Sequence, residues 1–538
     1  MARLTWAFVG LGVVLRLARF LLRHPLWGDE AFIAVNLIDR GYLDLLRPLD
    51  HGQVSPLLFL WIERAMVDWL GFNELSLRLF PTACGIAGVV LFRHVAGRVV
   101  QGVPLLLAVA IFSVSFYPIR HGGEVKPYAS DLLTTLLLLA PAIEWWRGRD
   151  DRWLWALAAV VPVALGLSHP AVFVAGGISL GLAPAVWRAR RRRARAAYVT
   201  LNAAIVGTFV FLFLVFTGPQ GASIARDAPN MRVYWASGFP PRNSALAVWL
   251  IRAHTGNLFA YPAGGDRGGS VLTALAVAMA AIDLARRREG TLLAICLAPF
   301  GVALVAAGLE RYPYGSSTRV MLYLAPNVCL LAGMGAAGLL SRIRPPRNGQ
   351  RAIAALVAVL FLFGATELAI DFARPYRSAH DLRSRAFARR FWVGQSRDAE
   401  LVCLRSDLGL AYQPVHWRLI RTPLYLCNQA ISFARRRAGR PPDWDRVSAS
   451  RPLRFVLFDE HPLGKTSTEA WAELPCRDPA LAVWLKDMQA RYVLRSRKTY
   501  VVNEGICEGM IWFEDRYVVF EFAPALEPEK TGIRGVTP

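Results

Sequence analysis

The residues with chemical capacity in this 538-residue chain fall in a few short stretches. Trp27-Gly-Asp-Glu30 places two adjacent carboxylates a few residues after an apolar run ends. Asp29 can accept a proton from an attacking hydroxyl or orient it, with Glu30 as its neighbour in a catalytic pair. The same residues suit a simple helix start, Asp29 as the N-cap, worth about 1 kcal/mol, and Glu30 stabilised in the first turn. The two roles are compatible, since a capped helix start is a rigid platform for a base.

Lysine is scarce. There are five, and only Lys126 precedes residue 465. It lies in Arg120-His-Gly-Gly-Glu-Val-Lys-Pro-Tyr128, between Glu124 and Tyr128, with Asp131 just beyond. An ammonium is a compact charge with three donors and suits a phosphate oxygen that moves during reaction. A lysine reaching for lipid head groups is the alternative, but it leaves Glu124 and Asp131 unexplained at the same membrane depth. Glu124, Tyr128 and Asp131 are therefore candidate substrate contacts. Arg311 and Arg319 bracket Tyr312 and Tyr314. They can clamp a phosphate with Tyr314 nearby, or the tyrosines can serve as interfacial anchors. His51, Gln53 and His169 are polar groups suited to hydrogen bonding rather than to acid–base work, and His51 and Gln53 join the candidate substrate contacts. Arg16 and Arg19 share a helix face and are expected to snorkel. No His/Cys/carboxylate set has metal spacing and no cofactor is called for, although a divalent cation between Asp29 and Glu124 stays open.

The elements that must position these groups are apolar. Apolar residues make up 54% of the chain and charged residues 19%, against about 25% charged in soluble domains. Runs of bilayer-spanning length fall at about 4–22, 77–92, 102–118, 128–143, 153–167, 170–187, 198–217, 270–285, 291–309, 320–340 and 352–370, about eleven in all. The runs near 77, 128 and 153 are short. Arginine-rich connections occupy every second loop: Arg93 with Arg98, Arg147 to Arg152, Arg188 to Arg195, Arg286 to Arg288, and Arg342 to Arg351. Basic loops stay in the cytoplasm, so the N-terminus is expected inside and the C-terminus outside. The net charge of +23 is then a topology signal, and nucleic acid is not an expected partner. The first run, interrupted by Arg16 and Arg19, reads as an uncleaved span. The absence of any Asn-x-Ser/Thr acceptor favours a bacterial inner membrane over a secretory pathway.

The outward segments hold the unusual polar residues. In the first, about 23–76, Ala31 to Ile38 and Pro56 to Leu70 read as interfacial helices, the second with Glu63, Arg64 and Asp68 on one face. Gly218 to Gly269, with Tyr234 and Trp235, can cover a cavity as a lid. Residues 1–371 are expected to form the all-α polytopic membrane domain, and 372–538 a small extracytoplasmic α/β domain with strands around Leu401–Leu404, Phe455–Phe458, Tyr492–Val502 and Tyr517–Phe522. Its Cys403, Cys427, Cys476 and Cys507 allow two disulfides in three connectivities. A lipid or sugar transporter is a rival reading, but no internal repeat is visible. An O-antigen polymerase or ligase is a second rival, against which the early Asp-Glu pair argues.

Taken in order, Trp27-Gly-Asp-Glu30, Gln53-Val-Ser-Pro56-Leu-Leu-Phe-Leu60, Gly71-Phe-Asn-Glu-Leu-Ser-Leu-Arg78-Leu-Phe-Pro81, Glu124-Val-Lys-Pro-Tyr128 and Tyr312-Pro-Tyr-Gly315 with Arg319 resemble the GT-C superfamily of membrane glycosyltransferases. The similarity is to the branch of protein O-mannosyltransferases, aminoarabinose transferases and rhizobial lipopolysaccharide-core transferases, over roughly residues 5–340. The resemblance implies inverting transfer of a sugar from a polyprenyl-phosphate donor to a hydroxyl of a lipid, glycan or protein acceptor at the outer face of the inner membrane. It makes Asp29 the catalytic aspartate and Lys126 the main phosphate partner, assisted by Arg319. His51-Gly-Gln-Val-Ser-Pro56 departs from the Lys-Pro-Pro pattern of aminoarabinose transferases, which leaves the sugar open.

Overall fold

All eleven apolar runs are helical in the computed structural model, which describes residues 1–24, 26, 28–227, 231–265, 269–373 and four later strands. The chain divides into two compact units, the larger holding Met1–His24 and Asp29–Pro375. In chain order its helices are α1 (Ala2–Leu21), α2 (Gly28–Ala34), α3 (Asn36–Asp39), α4 (Leu57–Leu70), α5 (Glu74–Val99), α6 (Val103–Val114), α7 (Phe116–Arg120), α8 (Tyr128–Gly148) and α9 (Arg152–Leu167). They continue with α10 (Ala171–Ala189), α11 (Arg192–Leu212), α12 (Gly218–Asp227), α13 (Met231–Tyr234), α14 (Leu246–Ala253), α15 (Ser270–Arg286), α16 (Gly290–Gly308), α17 (Ala325–Ser341) and α18 (Pro346–Ala373).

Seven helical stretches of the described residues are long and apolar enough to cross a membrane. An eighth is α6 with α7, if the pair is one span bent by 48°. The other three are α8, which carries Asp131 and Glu144, α9 with 16 residues, and α15 with 17. The chain is a multi-pass membrane protein. The run near 77, short by hydropathy, is a 26-residue helix. Its first turns hold Glu74 and Arg78, both buried, and these charges hide the helix from an apolar count. Asn73 fixes where it begins: its side chain accepts the N–H groups of Leu75 and Ser76, and Ser76 Oγ accepts the Asn73 N–H, a capping box. Gly71, at φ +78°, ends α4 in a conformation other residues resist.

Helices pack through small residues, as expected where lipid removes the hydrophobic drive. A Cβ on Gly177 of α10 would collide with the backbone of Pro299 in α16, and one on Gly333 of α17 with Ala108 of α6. At one end of the bundle the basic connections knit together. Arg98 donates to Glu144 at 2.7 Å, Arg147 to the Arg98 carbonyl, and Arg191 pairs with Asp151 at 2.9 Å.

The smaller unit contains a four-stranded sheet in the order β1-β2-β4-β3, from β1 (Glu400–Arg405), β2 (Leu453–Pro462), β3 (Tyr492–Cys507) and β4 (Ile511–Pro524). β1 runs parallel to β2, and β4 is antiparallel to both neighbours. All four predicted β-rich runs lie within these strands. A parallel pair needs a crossover connection; that connection, with Cys427, Cys476 and the expected helices, lies outside the described residues.

Candidate functional site

Glu30 ties three segments together at the end of the bundle opposite the basic connections. It is 1% exposed. Arg78, one turn into α5, donates Nε to Oε1 at 2.9 Å and Nη2 to Oε2 at 2.6 Å. The backbone N–H of Val125 donates to the same Oε1 at 2.9 Å. A buried charge is tolerated when paired and hydrogen-bonded in this way. Arg78 also donates to the His24 carbonyl, which anchors the chain as it leaves α1. Arg78 stands in the motif string but drew no role from the sequence. A lone arginine inside an apolar run, following a carboxylate pair, was the available signal.

The segment 121–127 is thereby fixed, and Lys126 with it. Lys126 is buried and donates Nζ to Gln53 Oε1 at 2.7 Å, so the first and second outward segments meet at this lysine. Beside it His121 Nδ1 contacts Glu124 Oε2 at 3.0 Å. Burial alone would raise Glu124, but the charge and hydrogen bond of His121, with smaller contributions from Arg120 and Arg19, outweigh it and hold the carboxyl below its ordinary range. His121, which the sequence reading left unassigned, also stacks on Tyr117, with centroids 6.0 Å apart, and meets Tyr128 edge-on at 5.5 Å.

Asp29 lies in the first turn of α2, inside the helix rather than at its cap. The side chains of Asp29 and His51 lie outside the described residues. Asp131, buried at the start of α8, is hydrogen-bonded by the Ser168 side chain. Ser168 Oγ in turn accepts the Ala171 N–H at 3.2 Å. His169 hydrogen-bonds the Ser55 backbone, and burial pulls it down to about 4, so it is neutral near pH 7.

Arg319 opens a short 3-10 helix, Thr318–Leu324, that packs on α7 and α8, the helices flanking 121–127. Its Nη2 donates to Tyr234 Oη at 3.1 Å, and its guanidinium lies 5.8 Å from the Trp235 ring centroid. The segment between α12 and α14 therefore touches the arginine. Tyr314 is buried and hydrogen-bonds His254 Nε2 at 3.1 Å. Arg311 is exposed at the end of α16, apart from these contacts.

Three expectations need correction. Arg16 does not snorkel: it is 3% exposed, and its Nη1 donates to the carbonyls of Gly12 at 2.9 Å and Ser113 at 3.3 Å. The break between α6 and α7 leaves that second carbonyl without a helical partner. Arg19 turns to Asp371 of α18, at 2.7 Å. Glu63 does not share a face with Arg64 and Asp68. Those two pair on the outside, whereas Glu63 is 0% exposed among Phe59, Leu60 and Val67, and burial pushes its carboxyl well above the ordinary range. The stretch 31–38 is two short helices, broken at Val35, rather than one. Among the described residues no group of three or more His, Cys, Asp and Glu side chains could hold a metal.

No protein-family model and no curated protein matches the sequence. Solved structures do. ArnT from Cupriavidus metallidurans in the apo state superposes with a TM-score of 0.53 at 12% identity, over 97% of this chain and 98% of that one. The same protein bound to undecaprenyl phosphate superposes at 0.50 and 13% identity, over 96% and 97%. The likeness covers nearly the whole of both chains, so the fold of this chain is similar to that of ArnT.

Proposed function

We propose that this chain is a glycosyltransferase of the bacterial inner membrane. It moves a sugar from a polyprenyl-phosphate carrier to an acceptor hydroxyl at the extracytoplasmic face, with inversion at the anomeric carbon. One observation supports this most: the Val125 N–H bonds Glu30 at 2.9 Å, so the residue after Asp29 is joined to the residue before Lys126. Adjacent Cα atoms lie about 3.8 Å apart. A base and a phosphate partner on these two positions are thus within reach of one phosphosugar. The fold adds to the case, since its counterpart ArnT has been solved with undecaprenyl phosphate bound.

In this reading Asp29 takes the proton from the acceptor hydroxyl as its oxygen attacks the anomeric carbon, and the bond to the lipid phosphate breaks. Lys126, steadied by Gln53, stabilises the charge on the departing phosphate, and Arg319 approaches the same charge from the lid. Glu30 and Arg78 are positioning residues. The test uses purified full-length protein with native lipid and radiolabelled polyprenyl-phosphate sugars. Asp29→Asn should lower turnover by about 10²–10⁴-fold, the usual contribution of a general base, while donor binding is retained. Equal turnover in the variant would remove Asp29 from the mechanism, and a wild type that transfers nothing and binds no carrier would end the reading.

A further inference from the structure

Several buried polar atoms near the Lys126 segment have no partner in the ion-pair network, and three of them belong to residues linked to one another. Ser55 Oγ, His169 Nε2 and Asp131 Oδ1 are each buried with no hydrogen-bond partner among the described residues. They come from three elements, the extended stretch between Gln53 and Pro56, the α9–α10 junction and the first turn of α8. Yet they form one connected group: the His169 ring bonds the Ser55 backbone, and the adjacent Ser168 bonds Asp131. Ser55 lies two residues from Gln53, at most about 7 Å along the chain, and Gln53 holds Lys126. The group therefore begins where the phosphate partner ends. Tyr323, on the 3-10 helix packed against α8, also buries a hydroxyl without a partner.

Buried polar atoms left unsatisfied are costly, so three on separate elements that hydrogen bonds link together point to a ligand that completes them. Their chemistry narrows its class. His169 is neutral and uses its other ring nitrogen toward the Ser55 backbone, which leaves Nε2 as an acceptor. Asp131 accepts when ionised and can donate when protonated, and Ser55 can donate or accept. A molecule with several hydroxyl groups on a rigid ring carries both the donors and the acceptors that such a group can use. We propose that Ser55, His169 and Asp131 form the subsite that hydrogen-bonds the hydroxyl groups of the donor's sugar, and that they decide which sugar is accepted; this rests on the glycosyl-transfer reading above. A sugar lacking a hydroxyl at these positions would leave the atoms unpaired and be rejected.

The test compares binding of undecaprenyl phosphate with binding of undecaprenyl phosphate carrying each of several neutral hexoses and pentoses, using the full-length protein in lipid nanodiscs. Wild type should bind at least one glycosylated lipid about tenfold or more tighter than the bare lipid, the effect of one or two net hydrogen bonds. Ser55→Ala and His169→Ala should erase that preference and leave bare-lipid affinity unchanged, and His169→Gln, which keeps an acceptor, should recover part of it. Lys126→Ala should weaken both lipids alike. Ser55→Ala removes a single oxygen, so it keeps the test meaningful if a His169 variant misfolds. Equal affinity of wild type for bare and glycosylated lipids overturns the subsite but leaves the transferase reading standing. So does a preference only for a cationic amino sugar, or variants that raise acceptor KM without touching donor binding. A wild type that binds neither lipid overturns both.

Discussion

Arg78 holds both carboxylate oxygens of Glu30, at 2.9 and 2.6 Å, across 48 residues of sequence. A planar guanidinium matched to a carboxylate in this two-point fashion is directional as well as strong. Removing one partner strands the other charge in a buried place. Arg78→Ala should therefore destabilise the protein by about 3–5 kcal/mol, read as a loss of folded material and a lower Tm in detergent. Arg78→Lys should recover only part, because one ammonium cannot satisfy both oxygens. A lysine variant as stable as wild type would show that the two-point geometry is unimportant.

Lys126 gives the next prediction. Lys126→Ala removes a charged donor from the carrier phosphate, worth about 1.5–3 kcal/mol for a hydrogen bond to a charged group. Donor affinity should fall by about ten- to a hundredfold. Gln53→Ala should produce a smaller loss in the same direction, since it removes one partner of Lys126 without removing the charge. Unchanged donor affinity in Lys126→Ala would take the lysine out of the site.

The pH dependence of stability follows from His169. Burial lowers it from 6.5 to about 4, so between those values the unfolded chain binds a proton that the folded chain does not. Stability from this group is complete above about pH 6.5 and is lost as pH falls toward 4. Glu63, raised by burial, works in the opposite sense, so the useful comparison is with His169→Gln at each pH. Wild type should lose Tm relative to this variant as the pH is lowered from about 6.5 to 4. A difference that stays constant across that window would mean the ring titrates normally in the fold.

Arg19 and Asp371 offer a charge exchange. Arg19→Asp or Asp371→Arg alone sets like charges together and should reduce folded yield. The double variant Arg19→Asp with Asp371→Arg should restore much of it, measured by size-exclusion recovery in detergent. No recovery in the double variant would mean that each side chain acts through something other than its partner.

Much of this architecture was legible because membrane helices announce themselves one segment at a time. Each apolar run needs only its own residues to be seen, and the alternating arginine loops order the runs. The strands around Val402, Phe455, Val493 and Val518 could be seen in the same local way. The site was legible in part. Lys126 stood out as a lone lysine, and it does meet Gln53. What could not be read was pairing over long separations, which leaves no period in the sequence. Glu30 to Arg78, Arg16 to the Ser113 carbonyl and Arg19 to Asp371 are all of this kind. Glu63 misled for a different reason. Beside Arg64 and one turn before Asp68 it looked like part of a charged face, but a helix turns about 100° per residue, enough to place one of two neighbours inside and the other out.

The ion pair of Arg19 with Asp371 spans 352 residues, from α1 to α18. A ribosome therefore delivers the arginine long before its counterion exists. Through most of synthesis the newborn opening helix must shield that charge by other means, with water, lipid phosphate or an insertion factor. Only when the eighteenth helix emerges can the two charges pair, which makes a segment made late in synthesis also the one that ties the first in place.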